Sequence, residues 1–217
     1  MFRRSSAESG GSAVRPVLLA AALVLIAVPA ARPQEPRDID PALVDRVVMS
    51  TWTKVPDGWA SRVEQDETQR LCSLHRNEPP TPVFDAILAR EKATVARPTD
   101  GKVLGDWKRG DAVAQSGRGG QFSDAAGTVN GGNCYACHQM APKELSYGTL
   151  GPSLVGYGRE RKFDAEEARA AYAKIYNSQS VLPCSNMPRF GHKGVLREQQ
   201  IKDVTAYLFD PDSPVNK

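Results

Sequence analysis

Two thiols and an imidazole stand within five residues, at Cys134, Cys137 and His138, in the run Asn133-Cys134-Tyr135-Ala136-Cys137-His138. Thiols three positions apart on one turn can each add to a vinyl group of a haem. An imidazole in the next position then faces the iron from the same side. Two other chemistries use paired thiols. A redox dithiol wants a βαβ surround, and the neighbouring sequence has no strand pattern. A four-ligand zinc site needs two more Cys or His at close spacing; only Cys184 and His192 lie downstream, eight positions apart. The spacing therefore predicts one covalently bound haem c, with His138 as a ligand of its iron.

The sixth ligand has four candidates: Met140, Met187, His75 and His192. Met140 is two residues past His138, too close to reach the opposite face, and reads as a packing residue. His75 lies far upstream and reads as a loop residue. Met187 sits in Cys184-Ser185-Asn186-Met187-Pro188-Arg189-Phe190-Gly191, irregular chain held by proline. Such a segment can present a thioether across a haem plane, and the soft sulfur favours Fe(II). Met187 is the expected ligand, with His192 second and a plain core methionine as the alternative. An iron with six ligands has no open position for oxygen, peroxide or substrate, so the expected chemistry is electron transfer.

Cys72 and Cys184 remain once the haem is attached. Two spare thiols in an exported protein most simply form a disulfide. It would tie an upstream segment to the chain three residues before Met187 and clamp that ligand. The alternative is a free reactive cysteine.

Hydrophobic periodicity predicts helices over Asp38 to Trp52, Ser61 to Leu71, Val83 to Ala96, Asp106 to Ser116, Asp164 to Tyr176 and Leu196 to Phe209. Residues 117–132 are rich in Gly and read as a loop leading into the cysteine motif. Residues 177–194 hold Pro183, Pro188, Gly191 and Gly194 and read as irregular chain. With no alternating pattern of useful length, the fold class is all-α with long loops.

The chain has 217 residues and a formal charge of +3. It lacks the dense Lys/Arg clusters with aromatics that a nucleic-acid binder shows. Arg3, Arg4 and Arg15 precede the apolar run Val17 to Val28, which suits the core of a signal peptide better than a membrane span. Cleavage after Ala30 would remove three Arg and one Glu and leave a charge of +1. Residues 1–30 are thus expected to be a signal peptide, giving a periplasmic protein with no membrane segment after cleavage. Residues 31–98 would form a helical extension, and residues 99–217 the haem domain.

Gly151-Pro152-Ser153-Leu154-Val155-Gly156 resembles the segment that follows the haem motif in class I cytochromes c. The resemblance implies a class I cytochrome c fold. It also implies that the Pro152 carbonyl accepts a hydrogen bond from the His138 Nδ1–H. More of the chain is similar to the SoxX family, the mono-haem subunits of SoxAX cytochromes. The matching runs are GGNCYACHQ (131–139), SYGTLGPSLVGYG (146–158), AYAKIYN (171–177) and the chain from PCSNMPRFGH (183–192) to residue 217. This resemblance implies a heterodimer with a SoxA-like haem protein whose cysteine does the sulfur chemistry. The pair would join thiosulfate to a cysteine of a SoxYZ carrier and pass electrons to a cytochrome c acceptor. Cys134, Cys137, His138 and Met187 fall on the family's haem attachments and ligands. Arg159, Arg161, Lys162, Arg189 and Lys193 could form a basic rim, with Arg189 the expected contact for a haem propionate.

Overall fold

The computed structural model describes residues 39–55, 59–121, 123–125 and 127–217. The signal peptide expected over residues 1–30 lies outside them. Among the described residues there are eight α-helices and no strand. They are α1 (Pro41–Thr51), α2 (Ala60–Val63), α3 (Glu67–Leu74), α4 (Thr81–Ala93), α5 (Trp107–Gln115), α6 (Tyr157–Glu160), α7 (Ala165–Tyr176) and α8 (Glu198–Phe209). This is the all-α fold class read from the sequence.

Side-chain caps set half of the starts. Asp40, Asp106 and Asp164 accept hydrogen bonds from free backbone N–H groups at the heads of α1, α5 and α7. The helix expected from Ser61 to Leu71 is two helices instead. Asp66 and Gln69 form a capping box that starts α3 and interrupts the earlier run. The short α6 was not expected; it grows from Gly156, which stands at φ 73°.

The core sits around α8, which is buried on every side from Ile201 to Phe209. Ala168, Ala171, Tyr172 and Ile175, at helical spacing on α7, pack into the same cluster as Ile201, Val204 and Leu208. Burying each large aliphatic side chain contributes about 1.5–3 kcal/mol. α5 crosses α8 with their backbones nearly touching. A Cβ on Gly110 would lie 2.0 Å from the Asp203 carbonyl oxygen, so only glycine permits the crossing.

Charges buried on α8 are paired. Lys202 Nζ lies 2.6 Å from Asp100, and Asp203 accepts from Arg109 at 2.9 Å and from the Asp106 N–H at 2.8 Å. These pairs join the turn at Asp100 and the start of α5 to α8.

A second, smaller apolar cluster holds Cys72 of α3, Ile87 of α4 and Cys184. The described residues form one compact unit, so the extension from residue 39 onward is part of the same body as the haem-motif half. No described helix is long and apolar enough to cross a membrane.

Candidate cofactor site

The cysteine motif is one tight turn. Asn133 stands in the left-handed region at φ 49° and opens a 3-10 turn over Cys134–Ala136. The Cys134 carbonyl then accepts from both Cys137 N (3.0 Å) and His138 N (2.9 Å). Both thiols and the imidazole therefore leave a single turn. α5 anchors that turn from behind, since Gly132 N donates to Val113 O at 2.8 Å and Asn133 N to Ser116 O at 2.9 Å.

The segment around Pro152 is laced to the motif by three backbone hydrogen bonds. Gly148 N donates to Tyr135 O, Gly151 N to Cys137 O, and Leu154 N to Gln139 O, each at 2.8 Å. This lacing brings the Pro152 carbonyl oxygen to 2.7 Å from His138 Nδ1. A carbonyl can only accept, so the proton sits on Nδ1. The Nε2 lone pair is left free to act as a ligand atom. Gly151 lies flat under the ring: a Cβ there would fall 2.2 Å from His138 Cε1.

Cys134 and Cys137 are not joined to each other by a disulfide. Burial pushes the Cys134 thiol up to about 12, and the neighbouring Cys137 adds to the shift. Two thiols on one turn and one imidazole of fixed tautomer are a donor set that fits haem c. Leu145 and Leu150, between His138 and Pro152, are 100% and 89% exposed.

Met187 lies on a closed loop. The loop leaves α7 at Asn177 and returns at Gly191, whose N–H donates to the Tyr176 carbonyl at 2.9 Å. Apart from a 3-10 turn at Ser178–Ser180 it is irregular. Its span of 177–190 is that of an Ω-loop. Met187 is half-buried and packs against the same apolar cluster as Cys134. Its carbonyl accepts from the Ser178 hydroxyl and its N–H donates to Ser185 Oγ at 3.2 Å. Met140 is 1% exposed in that cluster and is a packing residue.

Cys72 and Cys184 form a disulfide, with Cα atoms 5.3 Å apart and 112 positions between them in sequence. The bond ties α3 to the Met187 loop. Cys184 stands at φ 60°, left-handed backbone that an L side chain rarely adopts.

Arg189, the expected propionate contact, has a side chain that is 5% exposed and paired with acids of the extension. One terminal nitrogen pairs with Glu91 at 3.3 Å and the other with Asp66 at 2.5 Å. The sequence run next to Met187 could not show this, because both acids lie about a hundred residues upstream. Much of the expected basic rim is likewise engaged. Lys193 pairs with Asp66 at 2.7 Å, Arg161 with Glu167 at 3.5 Å, and Arg159 donates to the Asn216 carbonyl at 2.9 Å. Lys162 is exposed. His192 is half-buried beside the same Arg189 cluster. Burial and then the Arg189 charge hold it below its ordinary value, so it is neutral at pH 7.

Glu91 and Asp66 are the site's unforeseen residues. Burial alone would raise the Glu91 carboxyl. Hydrogen bonds from Asn177 and Thr68, with the Arg189 charge, outweigh it and hold the group below its ordinary value. Asp66 is held at about 2: burial raises it, but Lys193, the Gln69 N–H and Arg189 lower it further.

Helices around a CxxCH turn whose histidine is oriented by a following proline carbonyl define a c-type cytochrome domain. Residues 118–210 match the family described as Cytochrome c. Over 204 residues the chain is 35% identical to an uncharacterized lipoprotein of Aquifex aeolicus (strain VF5), covering 92% of this chain and 96% of that one. The chain belongs to the same family as that protein and carries a cytochrome c domain. Its haem c is covalently bound, and its chemistry is haem-based electron transfer.

Proposed function

We propose that this chain is a mono-haem electron-accepting subunit of the SoxX type, with Cys134 and Cys137 as the haem attachments and His138 and Met187 as the iron ligands. The observation that carries the reading is the 2.7 Å contact between His138 Nδ1 and the Pro152 carbonyl. It leaves Nε2 as the atom available to an iron, and Met187 offers a thioether from a closed loop packed on the same apolar cluster. A His/Met pair leaves no open position, so the haem, when bound, supplies storage for one electron. The protein's own residues orient the imidazole and hold the thioether.

The finer reading rests on the resemblance over residues 183–217 and on a disulfide that suits an oxidising compartment. A SoxA-like haem protein would be the partner, with the sulfur-binding cysteine on that chain. Joining thiosulfate to a carrier cysteine as a sulfur–sulfur bond releases two electrons. One haem takes one, so a second haem or a second transfer to a cytochrome c acceptor completes the balance. A periplasmic site after cleavage at Ala30 fits this scheme. The naming of the Aquifex relative as a lipoprotein supports an exported location.

The test is coexpression with a SoxA-like cytochrome, followed by thiosulfate-dependent haem reduction with the SoxYZ carrier present. A stable complex whose haem is reduced only with carrier and thiosulfate together supports the reading. A monomer that ignores the partner, but is reduced by a quinol-oxidising complex, supports a freestanding carrier instead. Replacing Met187 with Ala checks the ligand set: the thioether-to-iron charge-transfer absorption is lost and the potential falls. Unchanged values would sink Met187 as ligand.

A further inference from the structure

The loop over residues 177–190 has one 3-10 turn and no other regular structure to hold it. The Cys72–Cys184 disulfide ties its middle to α3, and what grips its two arms comes from α4. Glu91 is 2% exposed, a carboxylate in the protein interior. Its oxygens accept from Thr68 Oγ1, from Asn177 Nδ2 at 2.6 Å and from Arg189 Nη1 at 3.3 Å. Asn177 is the first residue of the loop, and Arg189 lies near its end.

The grip reaches Met187 from both directions. On one side, Asn177 Oδ1 accepts from the Gln179 N–H at 3.1 Å, which forms the 3-10 turn. Within that turn, the Ser178 hydroxyl donates to the Met187 carbonyl. On the other side, Arg189 is two residues past Met187. One carboxylate thus fixes both arms of the loop that carries the thioether.

A buried carboxylate is costly unless its lone pairs are filled, and well-packed apolar residues in its place are often as stable or more so. Stability alone does not account for Glu91. What a filled carboxylate supplies is direction: three donors, from α3, from the end of α7 and from the loop, must meet at one point.

We propose that Glu91 is a positioning residue for Met187, holding the 177–190 loop so that the thioether is kept at the iron. The N-terminal extension is then a clamp on the axial ligand. This rests on the His138/Met187 reading above.

The experiment compares holo-protein of wild type, Glu91→Ala, Glu91→Gln and Val215→Ala. Val215 is fully buried in the C-terminal 3-10 turn and serves as a destabilising control. Three quantities are read: the thioether-to-iron charge-transfer absorption, the affinity for added imidazole, which competes for the methionine's position, and the denaturation midpoint. Glu91→Ala weakens the absorption and binds imidazole about tenfold more tightly or better. Glu91→Gln keeps part of the hydrogen bonding and falls between. Val215→Ala loses stability with absorption and imidazole affinity unchanged. Should Glu91→Ala not fold, Glu91→Gln decides. The proposal is overturned if the Glu91 variants lose stability but bind imidazole as wild type does, or if Val215→Ala shows the same imidazole effect. If wild type lacks the absorption, or Met187→Ala leaves it unchanged, the ligand reading itself fails and the proposal with it.

Discussion

The imidazole of His138 is fixed between two neighbours in one loop: its Nδ1 lies 2.7 Å from the Pro152 carbonyl oxygen, and its ring lies over Gly151. The hydrogen bond sets the tautomer, and the bare glycine sets the depth of the ring. Three backbone hydrogen bonds of 2.8 Å between the loop and the cysteine turn keep the arrangement rigid.

Gly151→Ala tests the steric half of that arrangement. The new Cβ would meet the imidazole at 2.2 Å, and the lacing leaves the backbone little room to yield. Overpacking of this kind costs about 1–3 kcal/mol. The expected result is a lower urea midpoint for the holo-protein and an altered Soret spectrum. A variant with both unchanged would show that the ring has space to move.

Cys72→Ser/Cys184→Ser tests the covalent tie between α3 and the Met187 loop. The bond closes a loop of 112 residues, worth about 4–5 kcal/mol in the chain-entropy model. The double variant should lose stability on that scale. Amide exchange should rise more in α3 and α4 than in α5, α7 and α8. Equal rises throughout would mean that the extension does not open separately.

The sequence was most readable where one short segment carries its own meaning. CxxCH, the Gly-Pro segment and the apolar stripes of α7 and α8 depend on local spacing, and periodicity alone gave most of the helices to within a few residues. Glu91 was harder. It falls in register with Phe84, Ile87 and Leu88, on the apolar face of α4. A carboxylate on such a face signals a buried partner, but nothing local says that the partner is Arg189. The pairings within the basic rim were hidden for the same reason. A cation near Met187 in sequence reads as solvent-facing until the acids that fold over it are located. Asp66 carried one local sign, the capping box with Gln69, and that sign concerned only α3.

Gly110→Ala measures the crossing of α5 and α8. Alanine in a helix is favoured over glycine by about 1 kcal/mol. Here its Cβ would fall 2.0 Å from the Asp203 carbonyl oxygen and 2.8 Å from Tyr207 Cβ. Backbone on a fully buried helix cannot give way cheaply, so the steric cost wins. We expect a net loss of about 1–3 kcal/mol, read as a lower thermal midpoint. A rise in the midpoint would place the crossing elsewhere.

Acid should loosen the clamp before it unfolds a protein lacking it. Asp66, paired with Arg189 and Lys193, has a carboxyl lowered from 3.8 to about 2, and Glu91 is lowered from 4.5. A carboxyl depressed in the folded state contributes stability above its unfolded value and loses it as pH falls through the folded one. The two acids therefore stabilise fully above about pH 5 and lose that contribution toward pH 2. His192, in the same cluster, is held below 6.5 by burial and by Arg189. Its neutral form is the folded one, so its contribution starts to fade as pH drops below 6.5. Urea midpoints measured from pH 7 down to pH 2 should fall in both steps. In Asp66→Asn the midpoint at pH 7 is lower and its decline from pH 4 to pH 2 is shallower. A decline as steep as that of wild type would mean that other carboxylates carry the acid sensitivity.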